Sequence, residues 1–150
     1  MRIADICTRN AIHIDTGESV RDAAELMRQR HVGSLVAVAK SDGERVPVGM
    51  LTDRDIVVAI VPLGVAPDTV TVGVTMTTPL ASCTDEDDLF DAIATMRRRG
   101  VRRLPVTSRA TGRLVGIVSA DDIYGALGLH LRDLSSALTR EQIHEMEARP

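Results

Sequence analysis

The chain has 150 residues and a formal net charge of −3, so no broad positive charge is present to attract a phosphate polymer. Its apolar residues are almost all aliphatic, since Phe90 and Tyr124 are the only aromatic residues. Proteins that bind single-stranded nucleic acid usually stack bases on aromatic side chains, so this composition argues against nucleic acid as a partner. A chain of this length can nevertheless bury a hydrophobic core of its own.

The two cysteines, Cys7 and Cys83, are far apart in the sequence and form no C-x-x-C pattern, and the four histidines stand in unrelated contexts. Neither a metal site nor a disulfide framework is therefore predicted. The first residues lack the charged and then apolar pattern of a secretory leader. The longest apolar stretch, 56–66, is too short to cross a bilayer. We expect a cytoplasmic protein that does not enter a membrane.

The first part of the chain predicts a strand, a helix, two strands and a second helix, after a lead-in turn at 3–8. Ser19 is a good helix N-cap, and apolar residues follow it at helical spacing. A polar loop at 40–45 contains Asp42–Gly43, which is typical of a tight turn between two strands. The five elements are predicted in order at 11–14, 20–31, 34–39, 47–51 and 53–61.

The later part of the chain repeats the same pattern. A shift of 69 positions places Ala92 on Ala23 and Met96 on Met27, but the shift falls to 67 further along the chain. Two residues are therefore missing from the second hairpin at 108–113, where a loop most easily changes its length. We predict a first repeat at 1–61, a connector at 62–71, a second repeat at 72–128 and a C-terminal helical tail at 129–150.

The tail has its own pattern. The last helix of the second repeat is predicted to loosen at Gly128, because glycine is a weak helix former. The sequence Thr139-Arg140-Glu141-Gln142 resembles a capping box and predicts a separate polar helix that ends near Ala148.

Both repeats contain one short motif, which reads Gly, two apolar residues, Thr or Ser, two variable residues and Asp. The two copies are Gly49-Met50-Leu51-Thr52-Asp53-Arg54-Asp55 and Gly116-Ile117-Val118-Ser119-Ala120-Asp121-Asp122. An apolar run that stops at a hydroxyl residue predicts a strand followed at once by a helix.

Two interpretations of the motif remain open. The hydroxyl and the acid three residues later are a common pair of helix caps. The same helix start could instead bind a nucleoside phosphate, because free N–H groups and a hydroxyl favour phosphate, and a carboxylate accepts hydrogen bonds from ribose. Glycine at the motif's first position, Gly49 or Gly116, lets backbone or ligand approach closely.

Together the motif, the element order and the duplication resemble the paired cystathionine-β-synthase-type domains, called CBS pairs or Bateman modules. The resemblance covers about 3–127 and includes the helix-to-strand segments 27–32 and 96–106. It implies an α/β fold of two βαββα repeats, packed sheet to sheet about a pseudo-two-fold axis. It also implies two clefts, in which members of the family commonly bind adenine nucleotides or adenosyl ligands.

The resemblance assigns roles to the motif residues. The hydroxyls of Thr52 and Ser119 would face phosphate, whereas the carboxylates of Asp55 and Asp122 would hold the ribose.

A basic residue that opens the second strand often meets phosphate in such modules. This position corresponds to Arg102 and Arg103 in the second repeat, but to Gly33 and Ser34 in the first. The two clefts are therefore expected to differ, and the sequence leaves open which cleft the two arginines face.

No nucleophile with a base, metal constellation or cofactor fingerprint stands out, so we expect a protein that is not an enzyme and requires no cofactor. The main hypothesis is an energy sensor in signal transduction, which binds AMP, ADP, ATP, NAD or S-adenosylmethionine and signals to a protein effector. The alternative is a ligand-independent scaffold or a nucleic-acid-associated adaptor. Aliphatic helix faces, such as that of Val57 and Ile60, further predict a homodimer.

Overall fold

The computed structural model describes residues 1–41 and 44–148, in which strands and helices alternate. The strands are β1 (Thr8–Arg9), β2 (His13–Asp15), β3 (Ser34–Ser41), β4 (Glu44–Thr52), β5 (Cys83–Thr84), β6 (Arg103–Thr107) and β7 (Leu114–Ser119). The helices are α1 (Val20–Arg30), α2 (Asp53–Ile60), α3 (Val72–Thr75), α4 (Leu89–Arg99) and α5 (Ala120–Ala148), with short 3-10 turns at Ile3–Asp5 and Pro67–Thr69.

These elements form two units of the same order, β2-α1-β3-β4-α2 and β5-α4-β6-β7-α5, with α3 between them. The first unit contains a sheet of order β2-β3-β4, and the second contributes β7, β6 and β5 to a sheet of order β1-β7-β6-β5. In each unit the first strand is parallel to the next, and the last two strands form an antiparallel hairpin. The predicted α/β fold with two βαββα repeats is confirmed.

The two repeats exchange their lead-in segments. Strand β1 lies at the start of the first repeat, before β2, but it pairs with β7 of the second, with Thr8 opposite Ile117. In the matching position, Thr77 pairs with Met50 of β4, at N–O distances of 2.7 and 3.3 Å. The sequence analysis did not predict β1, because two residues are too few to show a strand pattern.

The core has three parts. Each repeat packs its helices on one face of its sheet, around fully buried leucines such as Leu35 and Leu51 in the first repeat and Leu104 in the second. A third cluster lies between the sheets, where Val36 and Val38 are fully buried. Burial of each of these side chains stabilises the fold by roughly 1.5–3 kcal/mol, and the third cluster holds the two sheets face to face.

The C-terminal part differs from the prediction. Helix α5 runs without a break from Ala120 to Ala148, so the expected loosening at Gly128 and the separate helix opened by Thr139 are both wrong. One glycine costs a helix only about 1 kcal/mol relative to alanine. The Thr139 hydroxyl donates to the carbonyl of Ser135 at 3.1 Å, as a hydroxyl within a helix does, and caps nothing.

The first hairpin also differs, because strand pairing continues through Lys40 and Arg45 into the predicted loop. The predicted Asp42–Gly43 turn lies outside the described residues. Among the described helices, none combines the length and the apolar character that crossing a membrane requires.

Candidate functional site

Thr52 and Ser119 each stand at the point where a strand ends and a helix begins, as predicted. The Thr52 hydroxyl oxygen accepts from the N–H of Asp55 at 3.1 Å, and the Asp55 carboxylate accepts from the N–H and hydroxyl of Thr52, both at 2.8 Å. These reciprocal bonds make a capping box. A helix cap of this kind typically contributes about 1 kcal/mol to the stability of the fold.

Ser119 and Asp122 repeat this arrangement at the start of α5. Their three hydrogen bonds measure 3.2, 2.8 and 2.6 Å. The capping interpretation therefore describes both copies of the motif. Among the described residues, the hydrogen bonds that the carboxylates of Asp55 and Asp122 accept all reach Oδ2, so Oδ1 of each can still accept a hydrogen bond from a ligand.

The glycines of the motif face protein backbone. A Cβ on Gly116 would lie 2.6 Å from the carbonyl oxygen of Thr8. A Cβ on Gly49 would lie 2.5 Å from Sδ of Met76 and 3.1 Å from the carbonyl oxygen of Thr77. Both glycines therefore make room for the lead-in segment that crosses from the other repeat.

A cleft of about 370 Å³ lies between the repeats beside Thr52, and we name it the Thr52 cleft. Residues of both repeats line it: Gly33, Ser34, Met50, Thr52, Asp53, Arg54, Thr77, Gly100, Val101, Arg102 and Arg103. The two arginines that open β6 therefore face the motif of the other repeat, which the sequence could not show. The same cleft holds Gly33 and Ser34, their counterparts in the first repeat.

The electrostatics of the Thr52 cleft favour an anion. Arg54, Arg102 and Arg103 contribute three permanent positive charges to its lining, against the single carboxylate of Asp53. Arg102 is exposed and Arg103 is half-buried, so both guanidinium groups can reach solvent or a ligand. The start of α2 adds the positive end of a helix dipole.

Sequence reasoning missed Arg54 and Thr77 as cleft residues. Arg54 lies within the motif, and its counterpart in the second repeat is Asp121, so a comparison of the two copies would have revealed a difference in charge. Thr77 matches Thr8 under the 69-residue shift, but only the exchange of lead-in segments places it in the cleft.

The other predicted site residues lie elsewhere. Asp55 lies in the first turn of α2 and lines a separate apolar groove with Val58 and Val74. Within the described residues, Gly116, Ser119 and Asp122 are absent from the lining of the Thr52 cleft. The structure therefore brings Thr52, Arg102 and Arg103 together and leaves the second copy of the motif apart.

The cysteines offer no reactive thiolate. Burial raises the pKa of Cys83 to about 12 and also raises the pKa of Cys7 above its ordinary value of 9.0. Both thiols are therefore protonated near neutral pH. The described residues contain no group of three or more His, Cys, Asp or Glu side chains placed to hold a metal ion.

The comparisons with known proteins agree with this architecture. The CBS domain family model matches residues 3–62 and 70–129. The uncharacterized protein MK0525 of Methanopyrus kandleri is 31% identical over 121 residues, which cover 81% of this chain but only 60% of that protein. Hypoxic response protein 1 of Mycobacterium tuberculosis is 33% identical over 126 residues, which cover 84% of this chain and 85% of that protein.

Among solved structures, the fold is similar to the CBS domain protein PAE2072 from Pyrobaculum aerophilum complexed with AMP. The TM-score is 0.71 at 25% identity, over 81% of this chain and 89% of that one. The family match spans most of the chain and covers both repeats, and the chain therefore belongs to the CBS-domain family, as a tandem pair of CBS domains.

Proposed function

We propose that this CBS pair is a non-catalytic regulatory module that binds an adenine nucleotide, or a related adenosyl ligand, in the Thr52 cleft. In this proposal, binding changes the arrangement of the two repeats and so signals to a protein effector. The observation that carries the proposal is the meeting of the α2 start, at Thr52, with Arg102 and Arg103 in one cleft.

The phosphate end of the ligand is assigned to this meeting point. The first three N–H groups of α2 already donate within the protein, to the Gly33 carbonyl, the Asp53 carboxylate and the Thr52 hydroxyl, so the helix start acts through its dipole, which favours a negative charge there. Guanidinium groups of Arg102 and Arg103 match phosphate oxygens in pairs, which a single ammonium group cannot do. Arg54 adds a third cation on the same lining.

The ribose and the base are assigned to the remaining features. In this proposal the ribose extends past Arg54, which lines both the Thr52 cleft and the neighbouring groove, so that its hydroxyls reach Oδ1 of Asp55, since Oδ2 is used by the helix cap. The adenine ring would be held by aliphatic surface such as Met50 and Val101, since no aromatic side chain lines the cleft. The AMP complex of PAE2072, a protein of the same fold, supports an adenine nucleotide as the ligand class.

The signalling step follows from the position of the cleft. Its lining comes from both repeats, so a ligand that contacts both sides stabilises one arrangement of the repeats over others. Exposed aliphatic side chains on the helices give a surface for a second copy of the chain or for an effector.

Thermal unfolding in the presence of AMP, ADP, ATP, NAD and S-adenosylmethionine tests the proposal, with GMP and adenosine as controls. We expect at least one adenine ligand to raise the unfolding midpoint in a saturable way, since ligand at 100 times its Kd stabilises by about 2.7 kcal/mol. GMP should have a smaller effect. If no adenine ligand changes the midpoint, the alternative of a ligand-independent scaffold is favoured.

A further inference from the structure

A second and larger cleft, of about 840 Å³, opens between the two β-hairpins. We name it the hairpin cleft. Four positively charged side chains line it, which are Arg9, Lys40, Arg45 and Arg113. Among the described residues of its lining, Glu44 carries the one carboxylate. This concentration of positive charge is unusual for a chain whose formal net charge is −3.

The hairpin cleft and the Thr52 cleft lie at opposite ends of the same strands. Strand β3 begins at Ser34, in the lining of the Thr52 cleft, and reaches the hairpin cleft at Lys40. Six residues of extended chain span about 20 Å. Of the described residues, none lines both clefts, so the hairpin cleft is a separate site.

Two contacts organise the charges of the hairpin cleft. The guanidinium group of Arg113, in the second repeat, forms an ion pair with the carboxylate of Glu44, in the first. Nδ1 of His13 lies 3.1 Å from the carbonyl oxygen of Ala11, and Nε2 of the same ring lies 3.1 Å from Nη1 of Arg45. With the proton on Nδ1, the ring is neutral, donates to Ala11 and accepts from Arg45.

In the described part of the lining, three of the four positive charges therefore have no balancing carboxylate. His13 orients Arg45 without neutralising it, and Glu44 balances only Arg113. Arg9 and Lys40 form no ion pair with any of the described residues. Like charges held close together repel each other, and a bound anion would relieve that repulsion.

We propose that the hairpin cleft is a binding site for an oligophosphate anion, either free or as the phosphate tail of a nucleotide. Guanidinium groups bind phosphate oxygens in pairs, and Lys40 adds a point charge. Apolar side chains such as Val38 and Leu114 form part of the wall, which strengthens the electrostatic attraction. The concave shape suits a compact anion with several charges.

Titration calorimetry with tripolyphosphate tests the proposal on the full chain. The starting variant carries Arg102→Gln and Arg103→Gln, so that phosphate binding in the Thr52 cleft is weakened. We expect saturable binding to this variant and a loss of affinity of about tenfold or more when Arg9→Gln and Lys40→Gln are added. The matched control adds Arg28→Gln and Arg30→Gln instead, two exposed arginines at the end of α1, and should bind like the starting variant.

Backbone amide chemical shifts locate the anion on the unmutated chain and do not depend on any variant folding. Tripolyphosphate should shift the amides of Ala11 and Leu114. The proposal is overturned if tripolyphosphate does not bind saturably, if removal of Arg9 and Lys40 leaves the affinity unchanged, or if the shifts are confined to the Thr52 cleft.

Two further titrations of the starting variant identify the source of the phosphate. Equal affinity for tripolyphosphate and ATP supports a free oligophosphate, whereas tighter binding of ATP supports a nucleotide tail. Because the starting variant is expected to keep adenosine binding in the Thr52 cleft, tighter binding of ATP supports a nucleotide tail in the hairpin cleft only where adding Arg9→Gln and Lys40→Gln reduces it.

Discussion

The carbonyl oxygen of Thr8 lies 2.6 Å from the position that a Cβ on Gly116 would occupy. Thr8 belongs to the lead-in segment of the first repeat, whereas Gly116 belongs to the motif of the second, so this contact joins the two repeats. Gly49 has the matching relationship with Met76 and Thr77. Glycine in the motif is thus required by the exchange of lead-in segments between repeats.

Replacement of Gly116 by alanine should destabilise the fold. The new methyl group would meet the Thr8 carbonyl and, at 3.3 Å, the sulfur of Cys7, and overpacking of this kind typically costs about 1–3 kcal/mol. Urea unfolding measures the loss. The control is Gly125→Ala in α5, where no atom lies within 4 Å of the new Cβ and a gain of up to about 1 kcal/mol is expected. Equal stability of Gly116→Ala and the unmutated chain would contradict the close contact.

The sequence could predict what depends on local pattern. Ser19, Thr52 and Ser119 cap helices as predicted, because a capping box involves residues only three positions apart. The pairing of β1 with β7 could not be predicted, since it joins residues more than 100 positions apart and involves a strand of only two residues.

The same limit applies to the site. The resemblance predicted that Arg102 and Arg103 meet phosphate, but only the packing of the repeats places them beside Thr52. Helix α5 was predicted to loosen at Gly128, but it is continuous. The small helix penalty of one glycine does not outweigh the helical residues on both sides of it.

Asp55→Ala and Asp122→Ala form a matched pair of variants. Each removes the same capping box, so both should lose a similar stability of about 1 kcal/mol. Asp55, which lines the groove next to the Thr52 cleft, is the proposed ribose acceptor, so Asp55→Ala should also weaken binding of an adenine nucleotide, whereas Asp122→Ala should not. Removal of a hydrogen bond to a charged group costs about 1.5–3 kcal/mol, which is roughly ten- to a hundredfold in affinity.

Calorimetry and urea unfolding of both variants separate the two roles. If Asp55→Ala and Asp122→Ala lose equal stability and bind nucleotide with the same affinity as the unmutated chain, the carboxylates serve only as helix caps.

The buried thiol of Cys83 should make stability depend on alkaline pH. Burial raises its pKa from 9.0 to about 12, so the unfolded thiol ionises first as pH rises. The contribution of Cys83 is fully present below pH 9 and is lost between pH 9 and 12. In Cys83→Ala, the free energy of unfolding should fall less between pH 8 and 10.5 than in the unmutated chain. An unchanged slope would show that the thiol is accessible to solvent.

A homodimer should form through the exposed helix faces of the second repeat. Phe90 and Tyr124 are 68% and 73% exposed, and they lie near an apolar groove between α4 and α5 that is lined by Ile93 and Leu127. Contiguous exposed apolar surface of this kind usually marks an interface. Sedimentation velocity at micromolar concentration should show a dimer.

Tyr124→Glu places a charge beside this groove and should shift the dimer towards monomer. The control is Ala110→Glu, which adds the same charge in the exposed loop of the second hairpin. A monomer in the unmutated chain, or equal dimerisation of the two variants, would exclude this interface.

The most direct test of the account compares ATP with adenosine by titration calorimetry, on the unmutated chain and on Arg102→Gln/Arg103→Gln. Both arginines line the Thr52 cleft. Their replacement would deprive only the phosphates of a ligand of positively charged partners. We expect the double variant to weaken ATP by about tenfold or more, as for a lost charged hydrogen bond, and to leave adenosine nearly unchanged. Equal losses for ATP and adenosine, or no loss for either, would contradict the assignment of these arginines to phosphate.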